Sequence, residues 1–289
     1  MSIKPKTIFL DMDGTILSSQ NKVSVQTKET LDAIRAQGIF VFIATGRAYD
    51  EIEAMLPEGF KVDGFITSNG MAGYVDDKPV FEHSLSLDLV EHVIAQARKH
   101  EIYYEVFPYG APRITLKQDQ TYVLKEVADP KPDGVEENEW LSRKKAVNEE
   151  ISFNDHLQGK GFSKFYFFAR TQEKIQKWGD VLQEMKKDTD FTLSKSSNHN
   201  LELMVADVNK ASGIREMLEH FGLKNEDTLA IGDSDNDLQM FDFVTHSVAM
   251  HNAKDHIKDV VDEVTTLSCD ENGVSDYLAR FVEKTVTHP

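Results

Sequence analysis

The chain has 289 residues, 40% hydrophobic and 28% charged, as in an ordinary globular protein close to the length at which one core divides into two. Acids outnumber bases 49 to 32, for a formal charge of −17. That field disfavours nucleic acid and anionic lipid as partners, and it repels phosphorylated small molecules unless local cations receive them.

In chain order, Met1–Lys6 is polar and carries no signal-peptide core, so a cytoplasmic protein is expected. Thr7–Leu10 is a short apolar strand that stops abruptly at Asp11. Spacing through Leu31 and Ile34 predicts a helix over Thr27–Gln37, with Gly38 as its stop. Ile39–Ala44 is the longest apolar run; it is too short to cross a bilayer and reads as a strand buried on both faces. Ala48–Leu56 is predicted as a helix ended by Pro57, and Gly64–Thr67 as a strand leading into the Ser68-Asn69-Gly70 turn. This β-α-β-α-β order implies an α/β fold with a parallel, doubly wound (Rossmann-like) sheet.

The character changes after about residue 82. Leu87–His100 and Glu173–Lys187 predict helices. Ile102–Phe107, Phe162–Arg170, Phe191–Ser194 and Leu201–Val205 predict strands, and the acidic stretch Asp129–Trp140 predicts a loop. The alternation then resumes. Helices are expected over Ser212–Phe221, stopped by Gly222, and over Asp237–Phe243, Ala253–Val260 and Gly273–Phe281. Strands are expected over Thr228–Ile231, Ser247–Met250 and Glu263–Thr266. The expected organisation is a discontinuous core, residues 1–82 and 205–289, interrupted by an inserted α/β domain over residues 83–204. Cys269, the single cysteine, excludes an intrachain disulfide and reads as a small buried hydrophobe.

Open parallel sheets bind ligands at the carboxyl ends of their strands. Four predicted strands end in polar clusters: Asp11, Thr45-Gly46-Arg47, Ser68-Asn69 and Gly232-Asp233. Paired carboxylates where a buried strand stops are costly unless a cation sits among them. Asp11-Met12-Asp13-Gly14-Thr15, Thr45-Gly46-Arg47, Lys210 and Gly232-Asp233-Ser234-Asp235-Asn236-Asp237 resemble, in order and spacing, the four motifs of the haloacid dehalogenase-like (HAD) phosphatase superfamily. The tail from Val248 to Ala253 and Asn272-Gly273-Val274 resemble its Cof-like branch, which carries a large α/β cap inserted after the second motif. The resemblance implies a phosphatase acting on a small phosphorylated metabolite, a sugar phosphate or similar phosphomonoester, as monomer or homodimer. A phosphomutase and a non-catalytic phosphometabolite-binding protein are the alternatives on the same scaffold.

Chemistry gives the motif residues their roles. Asp11 is suited to attack phosphorus, since a carboxylate with a pKa of ~3.9 is ionised at neutral pH and forms an acyl phosphate that water can hydrolyse. Asp13 is suited to protonate the leaving oxygen and then activate water, which needs its proton affinity raised relative to Asp11. Thr45 offers a hydroxyl and Gly46 an N–H to the phosphoryl oxygens, and Lys210 offers a cation for developing charge. A phosphate beside carboxylates feels roughly 4 kcal/mol of repulsion per charge pair at ~4 Å, and Mg²⁺ reverses that sign. Its expected ligands are Asp11, Asp233 and the backbone carbonyl of Asp13, with Asp237 in support. Met12, Gly46, Arg47, Asn69, Asn236 and Asn252 are expected around the substrate. Arg47 either touches the phosphate or bridges core and cap, and Asn236 orients Lys210 or a carboxylate. Asn69 and Asn252 line the pocket, Asp235 is solvated, and Asn198, His199 and Asn200 are candidate cap contacts to substrate.

Overall fold

In the computed structural model, which describes residues 5–286, the chain opens on strand β1 (Thr7–Leu10), every residue of which is buried. Helix α1 (Val25–Ala36) follows, its start fixed by Ser24 Oγ accepting from the Thr27 N–H at 3.0 Å. Strands β2 (Phe40–Ala44) and β3 (Gly64–Thr67) lie parallel to β1 and to each other. Side chains alternate across β1. Ile8 and Leu10 join Leu31 and Ile34 of α1 in one core layer, while Phe9 stacks on Phe42 at 5.3 Å in the other. Both layers are apolar, which is why these strands read as continuous hydrophobic runs.

Between β2 and β3 the structure departs from expectation. Ala48–Leu56 is two tight 3₁₀ turns, Tyr49–Glu51 and Glu53–Met55, rather than one helix. Tyr49 is stacked on Tyr74 at 4.0 Å and Ile52 is anchored in the core, while Pro57 ends the segment. So short a stretch closes i→i−3 hydrogen bonds such as Ile52 N–H to Tyr49 O at 3.2 Å. After β3 an antiparallel pair unforeseen in the sequence, β4 (Ala72–Val75) and β5 (Lys78–Glu82), forms the sheet edge. Its turn carries Asp76 and Asp77 at positive φ, without the glycine that marks most such hairpins.

His83–Asp207 forms a compact unit by itself. It contains α2 (Leu87–Lys99), β6 (Tyr103–Pro108), β7 (Ile114–Leu116), α3 (Gln120–Glu126), α4 (Glu137–Lys145), β8 (Ser152–Asn154), β9 (Phe162–Phe168), α5 (Gln172–Met185), β10 (Phe191–Ser194) and β11 (Asn200–Val205). The strands make one sheet in the order β10-β11-β9-β6-β7-β8. Tyr104, Val106, Phe165, Phe167 and Leu203 face a core shared with Val90 and Val93 of α2 and Trp178 of α5. Glu105 is buried among ions: Arg113 Nη1 bonds its Oε2 at 2.7 Å, and Arg143 pairs with its Oε1. The acidic stretch expected as loop runs into α4 at its end. Glu137 and Glu139 occupy that helix's first turn, where carboxylates meet the positive end of the dipole, and Trp140 is buried. Asn200 and His199 also serve this unit's own loop. Asn200 Oδ1 accepts the Ser196 and Ser197 N–H groups, and His199 Nδ1 lies 3.0 Å from Ala169 O.

The first unit resumes at Val208. Its elements are α6 (Lys210–Phe221), β12 (Thr228–Gly232), α7 (Leu238–Phe243), β13 (His246–Ala249), α8 (Asp255–Lys258), β14 (Glu263–Val264) and α9 (Gly273–Val286). The sheet order is β14-β13-β12-β1-β2-β3-β4-β5, parallel from β14 through β3. All parallel strands therefore present their carboxyl ends on one edge. Among the described residues, no helix is long and apolar enough to cross a membrane.

Candidate active site

Asp11 is the first residue past β1, and its N–H still donates to Ile231 O of β12 at 2.9 Å. The residue is 3% exposed, and its carboxylate meets Lys210 Nζ at 2.5 Å. The lysine is the first residue of α6, whose Asn209 cap and Ser212 form a reciprocal capping box. That helix end is pressed onto the β3 turn: a Cβ at Gly70 would overlap the Asn209 carbonyl, and one at Gly213 would meet Ile66 at 2.5 Å. Two glycines thus let α6 approach closely enough for Lys210, fully buried, to reach Asp11. The same ammonium meets Asp237 Oδ1 at 2.7 Å.

Asp237 is itself held rigidly. Its Oδ2 accepts the N–H groups of Asp233 and Ser234 at 2.9 and 3.1 Å, and a Cβ at Gly232 would lie 2.5 Å from its carboxyl carbon. Asp233 projects toward the first loop, where Gly14, at φ +70°, packs so close that a Cβ would overlap Asp233 Oδ2. The other oxygen, Asp233 Oδ1, is buried with no hydrogen-bond partner. Ligand oxygens of Asp11, Asp233 and Asp237 all lie within 4.8 Å of one another. Three carboxylates around one lysine leave negative charge in excess, and the proton affinities register it. Burial first, with Asp237 and Asp13 adding to it and Lys210 opposing, leaves Asp11 raised to about 7. Asp233 stands well above the ordinary carboxylate range, through burial first and then Asp11 and Asp237. Burial opposes the charge on Lys210, but the two aspartates outweigh it and keep the ammonium protonated. An orphaned buried oxygen and carboxylates short of positive charge are what a hard divalent cation fits.

Asp13 is half exposed and forked by Arg47, Nε to Oδ2 at 2.8 Å and Nη2 to Oδ1 at 2.5 Å. Arg47 therefore reaches a core carboxylate in this structure. Thr45 is fully buried at the end of β2, and its hydroxyl accepts the Arg47 N–H at 3.1 Å. Gly46 lies between these two, partly exposed. Asn69, left-handed at φ 55°, is 2% exposed, and its N–H donates to Thr45 O at 2.9 Å.

Three expected site residues are used differently. The Met12 side chain packs into the core with Leu10 and Ile16, because position 12 falls on the apolar side of the turn. Asn236 orients neither Lys210 nor a carboxylate: its Nδ2 donates to Asn69 Oδ1 at 3.1 Å, and its Oδ1 accepts from Ser234 Oγ at 2.6 Å. The Asn252 amide is engaged by Gly14 O and by the Cys269 N–H, so it secures a loop. Asp235, expected solvated, pairs with His256 at 2.8 Å. Sequence reading also missed the turn Cys269–Glu271, whose Asp270 Oδ1 accepts the Ser19 N–H at 2.7 Å. The pattern Ser268-Cys-Asp-Glu271 is a capping-box signature that announces such a turn.

A family model described as haloacid dehalogenase-like hydrolase matches residues 8–278, spanning all of these groups. The chain belongs to the haloacid dehalogenase-like hydrolases. It is similar to "Phosphatase YwpJ" of Bacillus subtilis (strain 168), 27% identical over 292 residues that cover 96% of this chain and 100% of that protein. It is similar also to "5-amino-6-(5-phospho-D-ribitylamino)uracil phosphatase YwtE" of the same organism, 26% identical over 302 residues, 96% of this chain and 98% of that one. Among solved structures, the HAD subclass IIB sugar phosphatase BT4131 superposes with a TM-score of 0.69 at 25% identity, over 95% of this chain and 98% of that one. The α/β fold with a parallel sheet is thus the family's fold.

Proposed function

We propose that this hydrolase is a Mg²⁺-dependent phosphatase that cleaves a small phosphomonoester through an aspartyl-phosphate on Asp11. The observation that carries the reading is the buried Lys210, shared between Asp11 and Asp237 beside an unpartnered Asp233 oxygen. Asp11, Asp233 and the backbone carbonyl of Asp13 would hold the ion, with Asp237 fixing the Asp233 backbone. Bound there, Mg²⁺ would supply the positive charge the acids lack and neutralise substrate phosphate.

The chain's own groups account for the bond changes. Lys210 holds one Asp11 oxygen, leaving the other to form a bond to phosphorus as the bond to the ester oxygen breaks. Asp13 delivers a proton to that leaving oxygen, then takes one from the water that attacks phosphorus, freeing Asp11 and inorganic phosphate. Arg47, which donates to both Asp13 oxygens in this structure, would release one of them when Asp13 carries that proton. Thr45 and the Gly46 N–H lie at the end of β2 to receive phosphoryl oxygens.

Every residue in this scheme belongs to the first unit. We take His83–Asp207 as the cap that the sequence predicts and as the candidate determinant of substrate choice. BT4131 is a sugar phosphatase and YwtE's named substrate is a ribityl phosphate, so phosphate esters of polyhydroxylated carbon chains are the first class to try. The test is a screen of phosphorylated metabolites at fixed Mg²⁺, with Asp11→Asn as blank. Phosphate release in one-to-one ratio with dephosphorylated product, absent from the blank, is the expected result. An isomerised phosphosugar indicates a mutase, and no turnover of any ester, p-nitrophenyl phosphate included, refutes the reading.

A further inference from the structure

Asn252 stands at the exposed rim just after β13, with both ends of its amide engaged. Its Nδ2 donates to the Gly14 carbonyl at 2.8 Å, and its Oδ1 accepts the Cys269 N–H at 2.9 Å. One partner demands a donor and the other an acceptor, so a single amide orientation satisfies both. The residue is anchored from below, where the His251 N–H donates to Thr265 Oγ1 at 2.8 Å and that hydroxyl donates to Leu267 O at 2.8 Å. Asn252 on Gly14 and Asp270 of the turn Cys269–Glu271 on the Ser19 N–H thus secure the first loop at two points.

That loop is where small shifts matter. Gly14 is left-handed and nests against the Asp233 carboxylate. Its peptide follows directly on the one whose carbonyl belongs to Asp13. Holding the Gly14 carbonyl restricts the backbone torsions of Gly14, through which that carbonyl is linked to the Asp13 carbonyl and the start of the Asp13 side chain.

We propose that Asn252 is a positioning residue: through the Gly14 carbonyl it sets where Asp13 stands relative to Asp11 and Asp233, and so governs metal affinity and turnover without touching substrate. This rests on the reading of those three acids given above. Because Asn252 is exposed, water replaces its lost hydrogen bonds cheaply, so the effect falls on catalysis rather than on folding.

The test uses Asn252→Ala and Asn252→Asp in the full chain. The aspartate keeps the acceptor for Cys269 but sets a carboxylate oxygen against the Gly14 carbonyl, while its added charge alone would draw Mg²⁺ in. With p-nitrophenyl phosphate at saturating Mg²⁺, kcat falls about 10–100-fold in both variants, the range for residues that orient a metal site. KM stays within about two-fold, as for an interaction felt only in the transition state. Calorimetry with Mg²⁺ alone shows roughly ten-fold weaker binding for Asn252→Ala, and Tm is unchanged. Wild-type kcat and Mg²⁺ affinity in both variants overturn the inference, as does a kcat loss that follows a fall in Tm. If the wild type hydrolyses no ester yet Asn252→Ala still weakens Mg²⁺ binding, the brace stands and the phosphatase reading falls. A wild type that binds no Mg²⁺ overturns both.

Discussion

Lys210→Met is the substitution whose consequences follow most directly from the geometry. The ammonium is fully buried, 2.5 Å from Asp11 and 2.7 Å from Asp237. At an effective dielectric near 20, each contact carries about 6 kcal/mol of gross attraction. Most of that offsets the cost of burying three ions, so the net gain of the triad is small. Removing the cation alone leaves two buried carboxylates uncompensated, which costs about 3–5 kcal/mol. For a unit of this size that is a fall in Tm of about 6–20 °C. The sign of the pH dependence is fixed as well. Burial already raises Asp11 and Lys210 pulls it down, so without the lysine Asp11 stands further above its unfolded value. The variant therefore keeps its stability below the unfolded carboxylate value of ~3.9 and loses it as pH rises through the folded value of Asp11. Urea titrations by circular dichroism with a chelator present, at pH 4 and pH 7.5, measure this. A deficit of about 3 kcal/mol or more at pH 7.5 that shrinks toward zero at pH 4 is expected. A deficit under about 1 kcal/mol, or one equal at both pH values, would refute the assignment of Lys210 as counter-ion to Asp11 and Asp237.

Gly14→Ala places a methyl group on the Asp233 carboxylate at a left-handed position; beyond a backbone cost of about 1–2 kcal/mol, steady-state assays should show hydrolysis reduced at least ~10-fold and Mg²⁺ activation shifted to higher concentration. Asp13→Asn slows hydrolysis most for esters with poor leaving groups, so rates across a series of aryl and alkyl phosphates should steepen against leaving-group pKa; a uniform loss contradicts Asp13 as the proton donor. In the second unit, burial would raise Glu105, but Arg143 and Arg113 outweigh it and hold its carboxyl below the usual range. That stabilisation is present above the unfolded carboxylate pKa and is lost as pH falls through the folded value. Trp140 and Trp178, the chain's two tryptophans, both lie in that unit, so their fluorescence should report an acid transition that is shallower in Glu105→Gln.

How much of this was legible in the sequence depends on which force set each feature. The strands β1, β2, β3 and β12 announce themselves because burial on both faces demands unbroken apolar runs, and the acids at their ends stand out against that background. Lys210 was legible by motif, but its burial depends on Gly70 and Ile66 packing against Asn209 and Gly213 at the start of α6, a contact between segments far apart in sequence. The Ala48–Leu56 segment has helical composition, yet the stacking of Tyr49 on Tyr74 and the nearby proline make it two 3₁₀ turns. The β4–β5 hairpin was missed because its turn uses Asp76-Asp77 where a glycine would have signalled it. Met12, Asn236 and Asn252 sit in or beside motifs, but spacing does not say which way a side chain points. Met12 faces the core, and the amides of the two asparagines hydrogen-bond to protein groups.

The central claim is that the Asp11 carboxylate takes the phosphoryl group. Acid quench of the enzyme during steady turnover, borohydride reduction and mass spectrometry of the peptide around residue 11 test it directly, because an acyl phosphate is reduced where a free carboxylate is not. The account predicts homoserine at position 11 in the wild type only when substrate and Mg²⁺ are both present. An unmodified Asp11 during continuing turnover, or full hydrolysis by Asp11→Asn, would contradict it.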